Sequence, residues 1–192
     1  MRRLRTLAVV ALAALALSGC TLISASSKPT LIGASHVQFG LLGRYIPGTH
    51  KGRVRFKTQP IYIVDATGHL APSSRIVTAP VRLTSVLDQL ILGPTKIESF
   101  GGYATDLPSN LVILQATITN KVGYIDVSQS LAALGRAKEV LAIGQLVFTA
   151  YYAGATSGIT ISVAGQNEPS LLPNRTFASV VTVKDCEALL EP

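Results

Sequence analysis

Leu111-Val112-Ile113-Leu114-Gln115-Ala116-Thr117-Ile118-Thr119, then Asn120-Lys121, then Val122-Gly123-Tyr124-Ile125-Asp126-Val127, is the stretch on which the fold turns. Val112, Leu114, Ala116 and Ile118 alternate with Ile113, Gln115, Thr117 and Thr119, and the second set is polar after Ile113. Period-two alternation of this kind marks a strand with one face in the core and one in water. Asn120-Lys121 supplies a tight turn, and the chain returns from Val122 as the partner strand of a hairpin.

Downstream of this hairpin, Ser128 is an N-cap candidate for a helix. Val140, Ile143, Gly144, Val147, Phe148 and Tyr151 keep helical spacing, Gly135 is a candidate break, and Gly154 ends the run. Residues 158–163 alternate again, with Ile159, Ile161 and Val163 on one face, and 164–167 form a turn. Residues 180–183 read as one more strand and 185–190 as a short terminal helix. Upstream, Leu83, Val86, Leu87, Leu90 and Ile91 form an apolar stripe on a helix that begins after Pro80 and stops at Gly93-Pro94. Residues 95–110, with Gly101-Gly102, read as a loop. Residues 61–64 are a short β-run closed by the turn signal Asp65-Ala66-Thr67-Gly68, and 70–77 return as a second strand bent at Pro72-Ser73. Interspersed strands and helices around a hairpin predict an α+β fold. Its sheet is mixed or mostly antiparallel, of about four to six strands, with two main helices on one face.

The first twenty residues are of another kind. Arg2, Arg3 and Arg5 precede an apolar run from Leu7 to Leu17, the layout of a secretory signal. The run is shorter than the roughly 20 residues needed to span a bilayer. Leu17-Ser18-Gly19-Cys20 resembles the bacterial lipobox. That resemblance implies cleavage between Gly19 and Cys20, a diacylglycerol on the Cys20 sulfur and an acyl group, palmitate for example, on the new amino terminus; more than one chain makes stable anchoring. The expected organisation is a lipoprotein signal peptide over 1–19, a lipidated tether with a basic segment over 20–57, and a globular domain over 58–192. The expected location is the extracytoplasmic face of the cell membrane.

Of the 192 residues, 17 are Lys or Arg and 10 Asp or Glu. Removing Arg2, Arg3 and Arg5 leaves 14 cations against those 10 acids, a charge of about +4 on a mature chain of about 170 residues, enough for one domain. Arg53, Arg55 and Lys57 recur with period two in the densest basic stretch. They are candidates for contact with anionic headgroups or wall polymers, or else the charged face of an edge strand. Cys20 and Cys186 are the only cysteines, which excludes a disulfide framework and a cysteine-based zinc cluster. Cys186 reads as a half-buried small residue, with a reactive thiol or a pair between chains as the alternatives.

The order of segments resembles a GerMN domain, the module of spore-germination and sporulation lipoproteins and of many actinobacterial lipoproteins. The resemblance spans roughly Gln59 to Gln166. It is carried by Ile61-Tyr62-Ile63-Val64 with Gly68-His69-Leu70, by Arg75, by Leu87-Asp88-Gln89-Leu90-Ile91-Leu92-Gly93-Pro94, by Leu107-Pro108, by Gly123-Tyr124-Ile125-Asp126-Val127-Ser128, by Gln145-Leu146-Val147-Phe148-Thr149-Ala150, and by Ile161-Ser162-Val163-Ala164-Gly165. It implies no catalytic residues. It implies a non-enzymatic binding or adaptor role in the cell envelope, in association with peptidoglycan, sporulation, germination or an envelope protein.

The residues themselves point the same way. His36, His50 and His69 are scattered, without metal-ligand spacing, and no metal, cofactor or nucleic-acid partner is expected. Gly154-Ala155-Thr156-Ser157-Gly158 fails as a nucleophile elbow because its Ser is not central. No phosphate loop follows a strand. The alternatives are a wall- or lipid-active hydrolase, whose seeds would be Asp65, His69, Asp106 and Asp126 brought together in one pocket, and a carrier with an apolar cavity for a small molecule or lipid.

Overall fold

The computed structural model describes residues 54–190. The expected signal and tether, with Gly19, Cys20 and Arg53, lie outside the described residues. The described part opens with β1 (Phe56–Val64) and β2 (Leu70–Thr78), an antiparallel pair around the Asp65–Gly68 turn. Helices α1 (Leu83–Ile91) and α2 (Lys96–Phe100) follow, then β3 (Ile113–Thr119) and β4 (Val122–Val127). A 3₁₀ turn (Leu131–Ala133) leads to the long helix α3 (Arg136–Tyr152), then to β5 (Gly158–Val163). A short hairpin, β6 (Ser170–Leu171) and β7 (Phe177–Ala178), precedes a closing 3₁₀ segment (Val183–Leu189).

The strands form an α+β fold in separate sheets: β1–β2, then β3–β4–β5, then β6–β7. β3 and β4 are antiparallel, whereas β4 and β5 are parallel, because the chain crosses back through α3. A parallel pair needs such a crossover, and a helix is its usual form. α1 and α3 pack on each other and both pack on β1. Leu83, Val86, Leu87 and Leu90 of α1 meet Ile61 and Ile63 of β1 and Leu146 and Val147 of α3 in one buried cluster that also takes in Ile125, Val127 and Ile159. No helix among the described residues is long and apolar enough to cross a membrane.

The outer edge of β1 is closed by side chains. Tyr62 stands opposite Pro72, so its own N–H and C=O point away from β2. Thr149 Oγ1 accepts from Tyr62 N–H at 3.0 Å, and Gln145 Nε2 donates to the Tyr62 carbonyl at 3.0 Å. Gln145 Oε1 in turn accepts from Asp106 N–H at 3.0 Å. Both side chains are fully buried in the middle of α3. They stand where a purely apolar stripe would leave backbone groups unpaired. One step along, Val64 and Ala104 exchange both backbone bonds.

Several local expectations change. Residues 95–110 are not all loop: Thr95 and Glu98 form a reciprocal capping box that starts α2. Pro72-Ser73 does not bend β2, which stays paired throughout. The turn Asn120-Lys121 has φ of 52° and 64°, the left-handed pair that a type I′ hairpin needs. Within β3, however, a bulge between Ile113 and Gln115 resets the alternation. Leu111 is buried and Ile113 packs against the core ahead of it; Ala116 and Ile118 take the inward positions after it. Val112 and Leu114 therefore face water. Ser128 caps no helix; it bonds to Val112 N–H and Ser130, and α3 starts after Gly135. Residues 180–183 supply a bridge from Val181 to Ile159 and no more.

Candidate functional site

Arg136 and Val140 lie on the first turns of α3, His69 at the end of the β1–β2 turn, and Leu172 and Arg175 in the β6–β7 hairpin. With Leu189 of the closing segment they border a groove of about 620 Å³. Its floor is aliphatic: Val140 and Leu141 from α3, Leu171 and Leu172 from the hairpin, and Leu189. Leu171 and Leu172 are buried beneath it. Gly144 is what lets these parts close up, since a Cβ there would stand 2.6 Å from Leu189 Cδ1 and 2.8 Å from Leu70 Cδ1.

The rim is cationic. Arg136 and Arg175 are exposed, and neither belongs to the one ion pair among the described residues. The amino-terminal end of α3 adds partial positive charge beside Arg136. Glu139 moderates this: its carboxyl, half-buried, is pushed up by burial, an effect opposed by the Arg136 charge. Arg175 holds φ of 68°, a left-handed conformation that costs a non-glycine residue about 1 kcal/mol or more. The Asn174 side chain fixes this bend by accepting from Thr176 N–H and its hydroxyl. In the turn that brings Gly68 and His69 to the groove, Asp65 Oδ1 accepts from Thr67 N–H, the Thr67 hydroxyl and His69 N–H. These bonds, the Thr67 hydroxyl foremost, hold its carboxyl below the ordinary range. With the single Thr67 proton given to Asp65, His69 Nδ1–H is the donor in the 2.9 Å bond to Thr67 Oγ1. The ring is thereby fixed in orientation.

The four seeds of a hydrolase do not converge. Asp65 and His69 share one turn, with Asp65 committed to that turn's own backbone. Asp126 sits on β4, bonded to Ser162 and Gly165 N–H, and lines a separate concavity. Asp106 lies in the loop bound by Gln145. Arg55 and Lys57 are exposed where β1 begins; two residues apart on extended backbone they share a face, while exposed Phe56 points to the other. No group of three metal-ligating side chains occurs among the described residues.

Sequence reasoning missed Arg136 and Arg175 as rim residues, because nothing local joins positions so far apart. It also missed the ion pair of Arg75 with Glu98, although Thr95-x-x-Glu98 was a legible start signal for the helix that carries Glu98.

Residues 60–168 match the family described as Germane, sporulation and spore germination. The chain belongs to the Germane family. The tandem GerMN domains of the sporulation protein GerM from Bacillus subtilis are similar in fold, with a TM-score of 0.52 at 14% identity over 71% of this chain and 47% of that one. The first GerMN domain of the same protein, taken alone, gives 0.52 at 12% identity over 67% of this chain and 98% of that one. At such identities the likeness is one of fold. The chain thus spans about half of the tandem structure and nearly all of a single Germane domain. No curated protein is significantly similar in sequence. The groove draws on both sides of the matched region's end: Arg136 and Val140 fall inside it, while Leu172, Arg175 and Leu189 lie beyond it.

Proposed function

We propose that this protein is a lipid-anchored lipoprotein of the cell envelope whose Germane domain binds a partner without turnover. The observation that carries this reading is the groove between α3, the β6–β7 hairpin and the closing segment, where an aliphatic floor lies under two guanidinium groups that take part in no ion pair among the described residues. That pairing suits an amphipathic acidic segment of an envelope protein. Apolar side chains would supply affinity at roughly 25 cal/mol per Å² buried, and carboxylates would set register against the planar forks of Arg136 and Arg175. The dispersal of Asp65, Asp106 and Asp126 among separate elements counts against a hydrolase.

A photo-cross-linking residue placed at Ala137, on the groove wall, tests this in membranes. A discrete adduct that disappears when Arg136→Glu and Arg175→Glu are combined is the expected result. Solubilisation of purified sacculi by the wild-type chain, lost in Asp65→Asn, would replace the adaptor with an enzyme. The groove volume also favours one second reading, a carrier for a small anionic amphiphile. Saturable uptake of a fluorescent fatty acid, with no protein adduct, would select it.

A further inference from the structure

The solvent face of β3–β4–β5 carries two cross-strand rungs in register. One is Thr117, Tyr124 and Thr160; the other is Gln115, Asp126 and Ser162. With Thr119 and Asn167 these side chains line a shallow concavity of about 440 Å³. Rungs two residues apart along a strand are separated by roughly 6.8 Å, about the width of a sugar ring.

The chemistry of this face is specific. Hydroxyls, two carboxamides and one carboxylate surround a single exposed aromatic ring, Tyr124 at 47% exposure. Not one Lys or Arg lines it, although the chain carries 17 of them. Asp126 is oriented in advance: its Oδ1 accepts from Ser162 Oγ at 2.9 Å and from Gly165 N–H at 2.9 Å, which leaves Oδ2 to a ligand. Asp126, Thr160 and Ser162 are half-buried, so their polar atoms sit within the concavity and not on a freely solvated surface. An anionic polymer finds no counter-charge here and meets Asp126. An apolar peptide finds one exposed ring and, besides it, only Ile125, whose side chain is buried in the core. A neutral polyhydroxylated ligand finds donors, acceptors and a stacking platform together.

We infer that the β3–β4–β5 face binds a neutral glycan of N-acetylated hexosamine units. One pyranose ring lies with its C–H face on Tyr124. Its hydroxyls donate to Asp126 Oδ2 and to the Gln115 carbonyl oxygen, and its acetamido oxygen accepts from the Thr117 hydroxyl. The site is separate from the Arg136–Arg175 groove and stands without it.

Titration of the full chain, purified in detergent, with N-acetylchitotetraose tests this by calorimetry. The expected result is saturable binding, weakened about fivefold to tenfold by Tyr124→Ala and held within about twofold by Tyr124→Phe, which keeps the ring; tenfold corresponds to about 1.4 kcal/mol. Thr117→Val, an exposed position, is the second variant and is expected to weaken binding with an unchanged melting temperature. Arg136→Glu with Arg175→Glu leaves the titration unchanged. Absence of saturable binding up to about 10 mM, roughly ten times a millimolar Kd, overturns the inference. So does equal affinity for Tyr124→Ala. Loss of binding in the groove double variant would move the glycan to the groove, which likewise overturns it. The cross-link at Ala137 is indifferent to all of these outcomes, so the two readings fail separately.

Discussion

Glu98 accepts from Arg75 through both carboxylate oxygens, at 3.0 and 2.8 Å, while Ser73 donates to it as well and Thr95 N–H bonds its second oxygen. The Arg75 guanidinium, ahead of the other donors, holds this carboxyl far below the usual carboxylate range, against the opposing effect of burial. A depressed folded-state value means that the stabilisation is complete above the unfolded value, about 4.3, and is lost as pH falls toward the folded one. Glu98→Gln is therefore expected to lower stability by about 1–3 kcal/mol at pH 7 and by less than that at pH 3, measured by urea unfolding at both values. Cys186 shows the opposite case. Burial, with a smaller contribution from Asp185, pushes its thiol up to about 12, and the side chain is fully buried. It is expected to stay unmodified by a thiol-specific reagent in the native protein at pH 8 and to react at once on unfolding. The sequence suggested a half-buried small residue, because a cysteine without a partner behaves as a small hydrophobe; its charged neighbours Asp185 and Glu187 hid the full burial. The Glu98 network was not, since Arg75 and Glu98 come from β2 and α2 and meet only in the folded chain.

At the scale of elements, the two main helices and the hairpin were legible because each obeys its own local rule: an apolar stripe, a glycine stop, a turn with left-handed residues. Lys121 pays a strain at φ 64° that glycine would not, so Lys121→Gly is expected to raise stability by about 0.5–1 kcal/mol, read from the thermal midpoint. What sequence could not show is the bulge in β3, because one inserted residue leaves an alternating pattern unbroken on paper while reversing which half faces inward. The buried Gln145 and Thr149 were equally opaque. On a helical wheel they are polar interruptions; their reason is the edge of β1, which lies 83 and 87 residues away. Thr149→Val conserves shape and removes the acceptor for Tyr62 N–H, and it is expected to destabilise by about 1–3 kcal/mol. Gln145→Leu strands Asp106 N–H as well and should cost more than Thr149→Val in the same denaturation series.

For the whole molecule, the α+β class and the extent of the family match followed from the order of the segments. The groove did not, since its walls come from α3 and from two segments beyond the matched region. The anchor proposed at Cys20 has its own test: metabolic labelling with palmitate is expected to mark the wild-type chain and not Cys20→Ala, and the unlabelled chain should leave the membrane fraction. If Cys20→Ala remains as firmly bound, the amino terminus holds the membrane by other means.

The closure of β1 also bears on the order of events when the chain first folds. β1 and β2 pair through a five-residue connection, a contact that forms on the microsecond scale. The groups that shut its free edge arrive only with the middle of α3, after β3 and β4 have been made. In the interval the earliest hairpin of the domain offers an open strand to any neighbour. That interval is the time at which a chaperone would matter most, and slow completion of α3 would be felt as aggregation through Tyr62 and not as loss of helix.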